Sequence, residues 1–343
     1  MPFFQGNADF GELHPKVRIW CNAPTKIAEC GDILISVRAP IGALNIANEQ
    51  CCIGRGLAAL TANEALCDLK YLWYGLECKV DELNSKGTGS TFKAINKKIL
   101  AETEIYLPSL EEQRRIAALL DKVSGLIAKR RAQLDKLDLL IKARFVEIFG
   151  DPSVNTKWST MKLSQLGELN RGVSKHRPRN DPRLLGGAYP LIQTGDVSNS
   201  GLYILNYSST YSELGLEQSR LWKSGTLCIT IAANIAHTSI LTFDACFPDS
   251  VVGFVPNDNT NSVFVHYWFS FFQKILEEQA PQVAQKNINL KILSDLDVIV
   301  PPYTLQEDFS AFVGQVEKSK LTIQQSLDKL ETLKKALMQQ YFG

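Results

Sequence analysis

The stretch Gly31-Asp32-Ile33-Leu34-Ile35-Ser36-Val37 returns, with substitutions, as Gly225-Thr226-Leu227-Cys228-Ile229-Thr230-Ile231. Both read as β-strands, because aliphatic and β-branched residues dominate them. Three further motif pairs follow in the same order at offsets between 193 and 195 residues: Ile95–Leu100 with Ile288–Leu293, Pro108–Glu112 with Pro302–Glu307, and Phe149-Gly150 with Phe342-Gly343. This period is far longer than the ~20–50 residues of a solenoid repeat. The sequence therefore predicts a duplicated unit.

Each repeat ends in an apolar pattern typical of a coiled coil. Apolar residues recur at alternating steps of four and three from Ile116 to Ile148, and again from Phe309 to Tyr341. Charged residues interrupt the two seams at Arg130, Arg144, Lys320 and Lys334. A helix of about 35 residues would be about 50 Å long, which exceeds the width of one such domain. Pairing of the two helices is therefore favoured over two unrelated amphipathic helices, each packed on its own domain.

The remainder of each repeat reads as mixed α/β. Alternating and β-branched runs predict strands at Asp32–Val37, Tyr189–Gln193, Leu227–Ile231, Ser239–Phe243 and Val251–Val255, and apolar periodicity predicts helices at Leu66–Glu77 and Val263–Gln279. Glycine, asparagine and serine punctuate residues 170–220, which read as long loops suited to recognition. The predicted division is a first domain at 1–109, its helix at 110–150, a second domain at 151–303 and its helix at 304–343.

Composition excludes several classes of protein. The chain has 343 residues, enough for about two to three domains, and 37 lysines and arginines balance 36 acidic residues. This balance excludes a uniformly basic protein, although local clusters can still bind nucleic acid. No run approaches the ~20 apolar residues of a membrane span, and the N-terminal residues do not resemble a signal peptide. We therefore expect a cytoplasmic protein that does not act at a membrane.

No pattern of metal-ligating or catalytic residues stands out. The eight cysteines form no CxxC pair and read as reduced thiols, not as zinc ligands or a disulfide framework. Val300-Pro301-Pro302-Tyr303 resembles the base-holding loop of amino-methyltransferases, but valine cannot accept a hydrogen bond from the amine. Gly87-Thr88-Gly89-Ser90 lacks the Gly-Lys-Ser/Thr ending of a P-loop. Glu77-Cys78-Lys79 and the set Asp244, Asp249 and His237 lack the partners of a nuclease or metal site. We expect no catalytic residue, no metal and no cofactor.

A basic cluster in the second half favours nucleic-acid binding. Five cations occur within thirteen residues against one acid, Asp181; they are Arg171, Lys175, Arg177, Arg179 and Arg183, with His176 and Asn180 among them. Lysine and arginine on a phosphate backbone release counterions, although a solvated basic loop would have the same composition. Asparagine and glutamine can pair with adenine, so we add the amide candidates Asn180, Gln193, Asn199, Gln285 and Asn287. The comparable candidates in the first half are Arg38, Arg55, Lys86, Ser90 and Lys93.

Motifs at the helix starts carry a family resemblance. Leu107-Pro108-Ser109-Leu110-Glu111-Glu112-Gln113 and its counterpart from Val300 to Glu307 each lead into a long helix. With Gly31–Pro40 and Gly87–Lys93, this arrangement resembles the specificity subunit of type I restriction-modification systems. The resemblance covers nearly the whole chain. It implies two target recognition domains, each reading part of a split DNA site, and two helices that pair antiparallel and hold the domains at a fixed spacing.

The resemblance also implies partners. Two methyltransferase subunits would dock on the helices, restriction and translocase subunits would join them, and the chain itself would catalyse nothing. The function implied is sequence-specific binding of double-stranded DNA that directs adenine methylation and restriction at a bipartite site. The alternatives are a scaffold or inhibitor that binds methyltransferase subunits without reading a full site, and a fused methyltransferase. Methyl transfer by the chain alone would support the last of these.

The two repeats differ before their shared motif. Residues 158–189 precede Pro190-Leu191-Ile192-Gln193-Thr194-Gly195, whereas only Met1 precedes the similar Pro2-Phe3-Phe4-Gln5-Gly6-Asn7. We therefore expect the first recognition domain to be truncated at its N-terminus and to lack a counterpart of the basic cluster. Either a second polypeptide supplies the missing part, or the first domain reads DNA poorly.

Overall fold

The chain forms two compact units in a computed structural model that describes residues 1–89, 93–154, 157–232, 235–279 and 288–343, without the side chains of Ser153 and residues 274–279. Unit 1 comprises Met1–Leu134 and Thr322–Gly343, and unit 2 comprises Asp135–Leu321. Each unit therefore contains one globular domain of the duplicated repeat and a part of both long helices.

Short strands and helices alternate in unit 1. Its strands are β1 (Pro2–Phe4), β2 (Ile19–Trp20), β3 (Ile27–Ala28), β4 (Ile33–Ser36), β5 (Leu44–Ile46), β6 (Cys51–Ile53) and β7 (Leu57–Leu60). Its helices are α1 (Leu69–Cys78), α2 (Val80–Lys86), α3 (Lys97–Ala101) and the first part of α4 (Leu110–Phe149).

Unit 2 is also mixed α/β. Its strands are β8 (Thr160–Lys162), β9 (Gly167–Arg171), β10 (Leu185–Leu191), β11 (Tyr203–Ile204), β12 (Ser209–Tyr211), β13 (Leu227–Thr230), β14 (Thr238–Leu241), β15 (Val251–Pro256) and β16 (Asp297–Ile299). Its helices are α5 (Thr194–Asn199), α6 (Glu213–Glu217), α7 (Ser262–Gln279), α8 (Leu290–Ser294) and the first part of α9 (Tyr303–Phe342), which ends in unit 1. The mixed α/β class is confirmed.

The duplication extends to strand order. Unit 1 has a four-stranded sheet in the order β2-β1-β6-β3 and a three-stranded sheet in the order β5-β4-β7, and in unit 2 the strands that correspond to the three-stranded sheet lie in the order β14-β13-β15. The registers also match, because Leu34 faces Ala59 and the equivalent Cys228 faces Gly253. Unit 2 adds β11 beyond β14 and β9 beyond β15. The shared strand motif therefore forms the centre of each sheet.

Local backbone chemistry explains the other repeated motifs. Gly31 and Gly225, which precede the central strands, have φ of 92° and 90°, a region that glycine adopts without strain. The side chain of Asn96 accepts a hydrogen bond from the Ile99 N–H and caps α3, and Asn289 caps α8 in the same way. These conformational needs account for the glycine and asparagine that recur in the two halves.

A buried glutamine fastens the start of each long helix. Gln113 Nε2 donates to the carbonyl oxygens of Leu66 (2.9 Å) and Pro108 (2.8 Å). Gln306 Nε2 donates to the carbonyl oxygens of Asn259 (3.0 Å) and Pro301 (3.0 Å). Pro108 therefore corresponds to Pro301, whereas the sequence motifs were aligned with Pro108 opposite Pro302. The alignment of the two helix starts is fixed by the buried glutamine, which bonds the proline five residues before it in each repeat.

The antiparallel pairing of α4 with α9 is confirmed. In unit 1, Val123 and Ile127 pack with Leu327, and Arg131 forms a 2.6 Å ion pair with Glu331. Because earlier residues of α4 meet later residues of α9, the two helices run in opposite directions. Ile116, Leu120, Val123 and Ile127 of α4 are buried at the predicted steps of four and three, as coiled-coil packing requires. Further along the helices, Phe145, Phe149 and Phe342 are buried, whereas the predicted Ile148 and Tyr341 are only partly buried.

Unit 2 contains the converse part of the helix pair. There Phe145 of α4 packs edge-to-face on Phe309 of α9, with ring centroids 5.4 Å apart. Lys320, one of the residues that interrupt the apolar seam, pairs with Asp138 at 2.8 Å, so the interruption holds an ion pair between the helices. The other interruptions have partners as well: Arg130 bonds Gln133, Arg144 pairs with Glu147, and Lys334 pairs with Glu77.

Residues 170–220 are not the long loops that their composition predicted. They contain the end of β9, the strands β10–β12 and the helices α5 and α6. Strands β10 and β12 form an antiparallel pair whose buried residues Leu191 and Tyr211 share a small core with Leu184 and Cys246. Glycine and serine here mark short turns between brief elements, which composition alone does not distinguish from one long loop.

Candidate DNA interface

The basic segment of unit 2 leaves the sheet at the end of β9. Gly172 N–H donates to the Val251 carbonyl (2.8 Å), and Val173 N–H donates to the Phe247 carbonyl (3.1 Å). A side chain on Gly172 would collide with the carbonyl oxygens of Phe247 and Pro248, so glycine is required for this close approach. These contacts fix the start of the segment against the connection that precedes β15.

Gln218, at the end of α6, holds the middle of the segment. Its side-chain oxygen accepts hydrogen bonds from the backbone N–H groups of Lys175 (2.7 Å) and His176 (3.0 Å). The His176 ring lies 3.0 Å from Asp181 Oδ2, and Asp181 also accepts from Arg183 at 2.7 Å. The hydrogen bond from the Arg183 guanidinium holds the pKa of Asp181 well below its usual range. The segment is therefore an ordered loop with a charged anchor at its far end.

The five cations of this loop differ in their partners. Arg179 pairs with Asp249 (2.6 Å), and Arg183 pairs with Asp181, so two positive charges are balanced locally. Among the described residues, Arg171 and Arg177 donate only to neutral carbonyls; Arg177 Nη1 donates to the Ser174 carbonyl at 2.6 Å. The side chain of exposed Lys175 has no hydrogen-bond partner among the described residues. The uncompensated positive charge therefore belongs to Arg171, Lys175 and Arg177.

The amide candidates of unit 2 lie on two features. Asn180 is exposed within the basic loop, whereas Gln193 precedes α5 and Asn199 is its last residue. Gln193 and Asn199 are both exposed. Gln285 and Asn287 lie outside the residues that the structure describes.

An exposed aromatic residue near α5 was missed by sequence reasoning. Tyr207 is 47% exposed and packs edge-to-face on Phe243, with ring centroids 5.2 Å apart. The neighbouring Ser208 hydroxyl lies 3.4 Å from Asp196 in α5. The sequence carries no signal for this pair, because the two aromatic residues are far apart along the chain and meet only in the folded sheet.

The candidates of unit 1 fall into separate places. Arg38 and Lys93 are exposed on adjoining segments, because Arg38 bridges Ala94 and Ala39 N–H donates to the Lys93 carbonyl at 3.0 Å. Lys86, at the end of α2, pairs with Glu82 at 2.6 Å. Ser90 lies outside the described residues. Arg55 lies elsewhere, beside β7, where it lines a groove with Lys26 and Lys97. Those two lysines were not predicted.

The sequence features that resembled catalytic motifs have structural roles where they are described. The Pro301 carbonyl accepts from Gln306, and Tyr303 is the first residue of α9, so the Val-Pro-Pro-Tyr segment forms a helix start. Among the described residues, no group of three or more His, Cys, Asp or Glu side chains is arranged to hold a metal ion. The described helices include none long and apolar enough to cross a bilayer.

A profile of the type I restriction modification DNA specificity domain matches residues 22–137 and 155–334, which is most of the chain. The chain belongs to this family. Over 90% of its length it is 21% identical to the MjaIX type I restriction enzyme specificity subunit of Methanocaldococcus jannaschii, covering 76% of that relative. Over 91% of its length it is 21% identical to the EcoBI specificity subunit of Escherichia coli, covering 73%.

A shorter match is more similar in sequence. Over 40% of this chain, identity is 41% to a specificity subunit of Methanocaldococcus jannaschii named MjaX, but the match spans only 32% of that relative. The type I S subunit of M. genitalium superposes on the whole chain with a TM-score of 0.58 at 16% identity, covering 88% of that structure. A second type I system structure gives 0.55 at 18% identity, covering 94% of this chain and 84% of the other. These superpositions show the shared fold.

Proposed function

We propose that this family member is the DNA-reading subunit of a type I restriction-modification complex and directs adenine methylation and restriction at a bipartite site, with unit 1 reading its half-site only once the outer edge of β7 is paired. The observation that carries the proposal is the duplicated domain-plus-helix unit, with an ordered, partly uncompensated basic loop on the second domain. In this proposal Arg171, Lys175 and Arg177 contact phosphates. Phosphate contacts orient a protein on the duplex, whereas base edges supply the sequence information.

Base reading in the proposal falls to the exposed amides of unit 2. Asn180 lies within the loop that would follow the backbone, and Gln193 and Asn199 lie at the two ends of α5. Bidentate amide pairing with adenine is worth about 1–3 kcal/mol of discrimination for each good pair. In unit 1, Arg38 and Lys93 are the corresponding candidates. Gln285, Asn287 and Ser90 remain candidates from sequence.

The helix pair offers a surface for two methyltransferase subunits, with restriction and translocase subunits joining the same cytoplasmic complex. In unit 2, Leu139 is 65% exposed, Leu140 47% and Leu321 54%, all on helix surfaces close to the Lys320–Asp138 pair. Exposed leucines grouped on paired helices are suited to binding another protein. Leu139→Asp should therefore weaken recruitment of the methyltransferase subunit and leave DNA binding by the isolated chain unchanged.

Co-expression with a candidate methyltransferase subunit, followed by mapping of methylated adenines, tests the proposal. We expect methylation at a defined sequence that requires this chain and is reduced by the joint change Lys175→Ala and Arg177→Ala. Copurification of the two proteins without sequence-specific methylation would support the alternative of a scaffold that binds methyltransferase subunits without reading DNA. Methyl transfer by the chain alone would instead support an enzyme and contradict the assigned role.

A further inference from the structure

The edge of the central sheet differs between the two units. In unit 2, β15 is hydrogen-bonded on both sides, to β13 and to β9. The pairing with β9 sets Gly253 opposite Asn170 and Phe254 opposite Leu169. In unit 1, the corresponding strand β7 pairs with β4 and is the last strand of its sheet, so no described strand pairs with its outer edge.

The backbone of Ala59 faces this open edge. Val37 N–H donates to the Gly56 carbonyl at 2.9 Å across the β4–β7 pair, so alternation directs residues 56, 58 and 60 toward β4. Residue 59 therefore directs its N–H and carbonyl groups outward. In unit 2 the equivalent residue is Gly253. The Val251 carbonyl accepts a hydrogen bond from Gly172 N–H at 2.8 Å, so by the same alternation the backbone groups of Val251, Gly253 and Val255 face β9.

A groove of about 560 Å³ lies along the open edge of β7. Its walls include all of β7 and the helix α3, through Lys97, Leu100 and Ala101. In unit 2 the equivalent helix α8 contacts β9 and the short helical turn Leu163–Gln165. Leu163 and Leu166 of that segment are fully buried in the main core of unit 2. The groove of unit 1 therefore corresponds to the place that residues 160–171 fill in unit 2.

The charges around the groove define what could fill it. Arg220 in unit 2 pairs with Glu168 of β9 at 3.2 Å, and Lys26, 194 positions earlier, lines the groove of unit 1. Asp249, which pairs with Arg179, corresponds to Arg55, so the sign of the charge is reversed there. With Lys97, the groove carries three cations and no acidic lining residue. A complementary segment would therefore present carboxylates to Lys26 and Arg55.

We propose that the outer edge of β7 and this groove bind an extended peptide segment from outside residues 1–343, which adds a strand to the sheet. The segment would carry apolar side chains at the places of Leu163, Leu166 and Leu169, and carboxylates facing Lys26 and Arg55. Strand addition supplies backbone hydrogen bonds, and alternate side chains supply specificity. A second copy of this chain is not the occupant, because its own segment of this kind is bonded to β15.

A labelled peptide of residues 158–171, added to the full chain without DNA or other subunits, tests the proposal. We expect saturable binding by fluorescence anisotropy. In unit 2, Arg171 lies opposite Val252, and its side chain donates to the Asp249 carbonyl. The residues of unit 1 equivalent to Val252 and Asp249 are Ala58 and Arg55. A peptide with Arg171→Glu should therefore bind several-fold more tightly, because its carboxylate would face Arg55. Ala59→Pro removes the outward N–H and should weaken binding at least tenfold, whereas Ala59→Ser, which keeps the N–H, should not.

A charge exchange keeps the test decisive if Ala59→Pro fails to fold. Lys26 is exposed, so Lys26→Glu should leave the fold intact and weaken binding of the peptide that carries Glu168. A Glu168→Lys peptide should recover affinity for the Lys26→Glu chain but not for the original chain. Absence of saturable binding, equal binding by Ala59→Pro and Ala59→Ser, or no reciprocal effect of the charge exchange would each overturn the proposal. None of these outcomes bears on DNA reading by unit 2.

Discussion

The two domains share the order of three strands around β4 and around β13, yet only the second has both outer edges of this core covered by β11 and β9. Residues 160–171 make the difference at β15, and they also provide β8, which pairs with β16. In unit 1 the segment Thr103–Leu107 is equivalent to the region of β16, but no described strand pairs with it. Its residue Tyr106 is 73% exposed. One segment therefore closes two edges at once.

Some residues are needed for each repeat to fold, and a separate segment is needed to cover the edge of its sheet. The glycine turn, the asparagine cap and the buried glutamine are present in both units, so the central strands and helix starts form in both. Edge strands left bare are open to pairing with another chain. Duplication of the central motif alone thus leaves one domain with an available edge, and it leaves the basic loop that follows β9 on the other domain only.

The largest expected effect is on the stability of unit 2. Leu166 is completely buried in its main core, so Leu166→Ala should lower the free energy of unfolding by about 2–5 kcal/mol, from lost burial and the cavity left behind. Leu60→Ala at the open edge of unit 1 is the matched control, and it should cost less because Leu60 is only partly buried. Urea denaturation measures both; equal costs would mean that the segment is not an integral part of the unit 2 core.

The next effect concerns DNA binding. Replacing Lys175 and Arg177 together with alanine should lower the slope of log affinity against log salt by up to about 2, since each phosphate contact contributes ~0.9. Arg179→Ala should change the slope less, because Arg179 is already paired with Asp249. The unit 1 pair Arg38→Ala and Lys93→Ala is the comparison, and we expect a smaller change there. An unchanged slope for the Lys175 and Arg177 variant would make the loop a solvated surface.

A third experiment tests a feature that the two units share, the buried glutamine at the start of each long helix. Gln113→Met and Gln306→Met keep side-chain size but remove the hydrogen bonds that each buried amide makes to two carbonyls. Each should cost about 1–3 kcal/mol in unfolding free energy, because buried polar partners lose their bonds. The two costs should agree within about 1 kcal/mol. A large difference would show that the helix starts are not equivalent in energy, despite their matching contacts.

A further expected effect is acid sensitivity that arises from His266 in unit 2. Burial and the positive charge of Lys320 lower the pKa of His266 to about 4, against the hydrogen bond with Thr238, which acts in the opposite direction. In the unfolded state the pKa of His266 is near ~6.5, so below that pH the unfolded state binds more protons than the folded state. The stability that comes from keeping His266 neutral is therefore lost as pH falls from about 6.5 to 4. His266→Gln should flatten this part of the pH profile by on the order of 2 kcal/mol. The same profile in both proteins would exclude His266 as the cause.

The sequence predicted the parts of the fold that depend on local patterns. The strand motif and the heptad seams gave repeating signals, and the structure confirms them. The motifs Ile95–Leu100 and Ile288–Leu293 also recurred, but the asparagine-capped helices that they form were not predicted. The short strands β1–β3 and β5–β7 were not predicted, because runs of two to four residues show too little periodicity. The one-residue error at Pro302 arose because only the folded chain shows Gln306 bonded to Pro301.

The candidate site was harder to predict than the fold. Composition located the basic loop, but not that Asp249, seventy residues later, balances Arg179. Nor did it show that Lys26 and Arg55 line the same groove, because only the folded chain brings the two residues to one place. Their signal lay in the repeat itself, since Lys26 and Arg220 occupy equivalent positions. Charge partners that are distant along the chain require the tertiary structure.

The most direct test of this account is a methylation map made with the chain and its methyltransferase subunits. We compare the native chain with a chain that has residues 158–189 fused ahead of its first domain through a flexible linker. The native chain should specify only the half-site read by unit 2, and the fused segment should add a second, defined half-site. A full bipartite site directed by residues 1–343 alone, without any added segment, would contradict the claim that an added strand completes the sheet of the first domain.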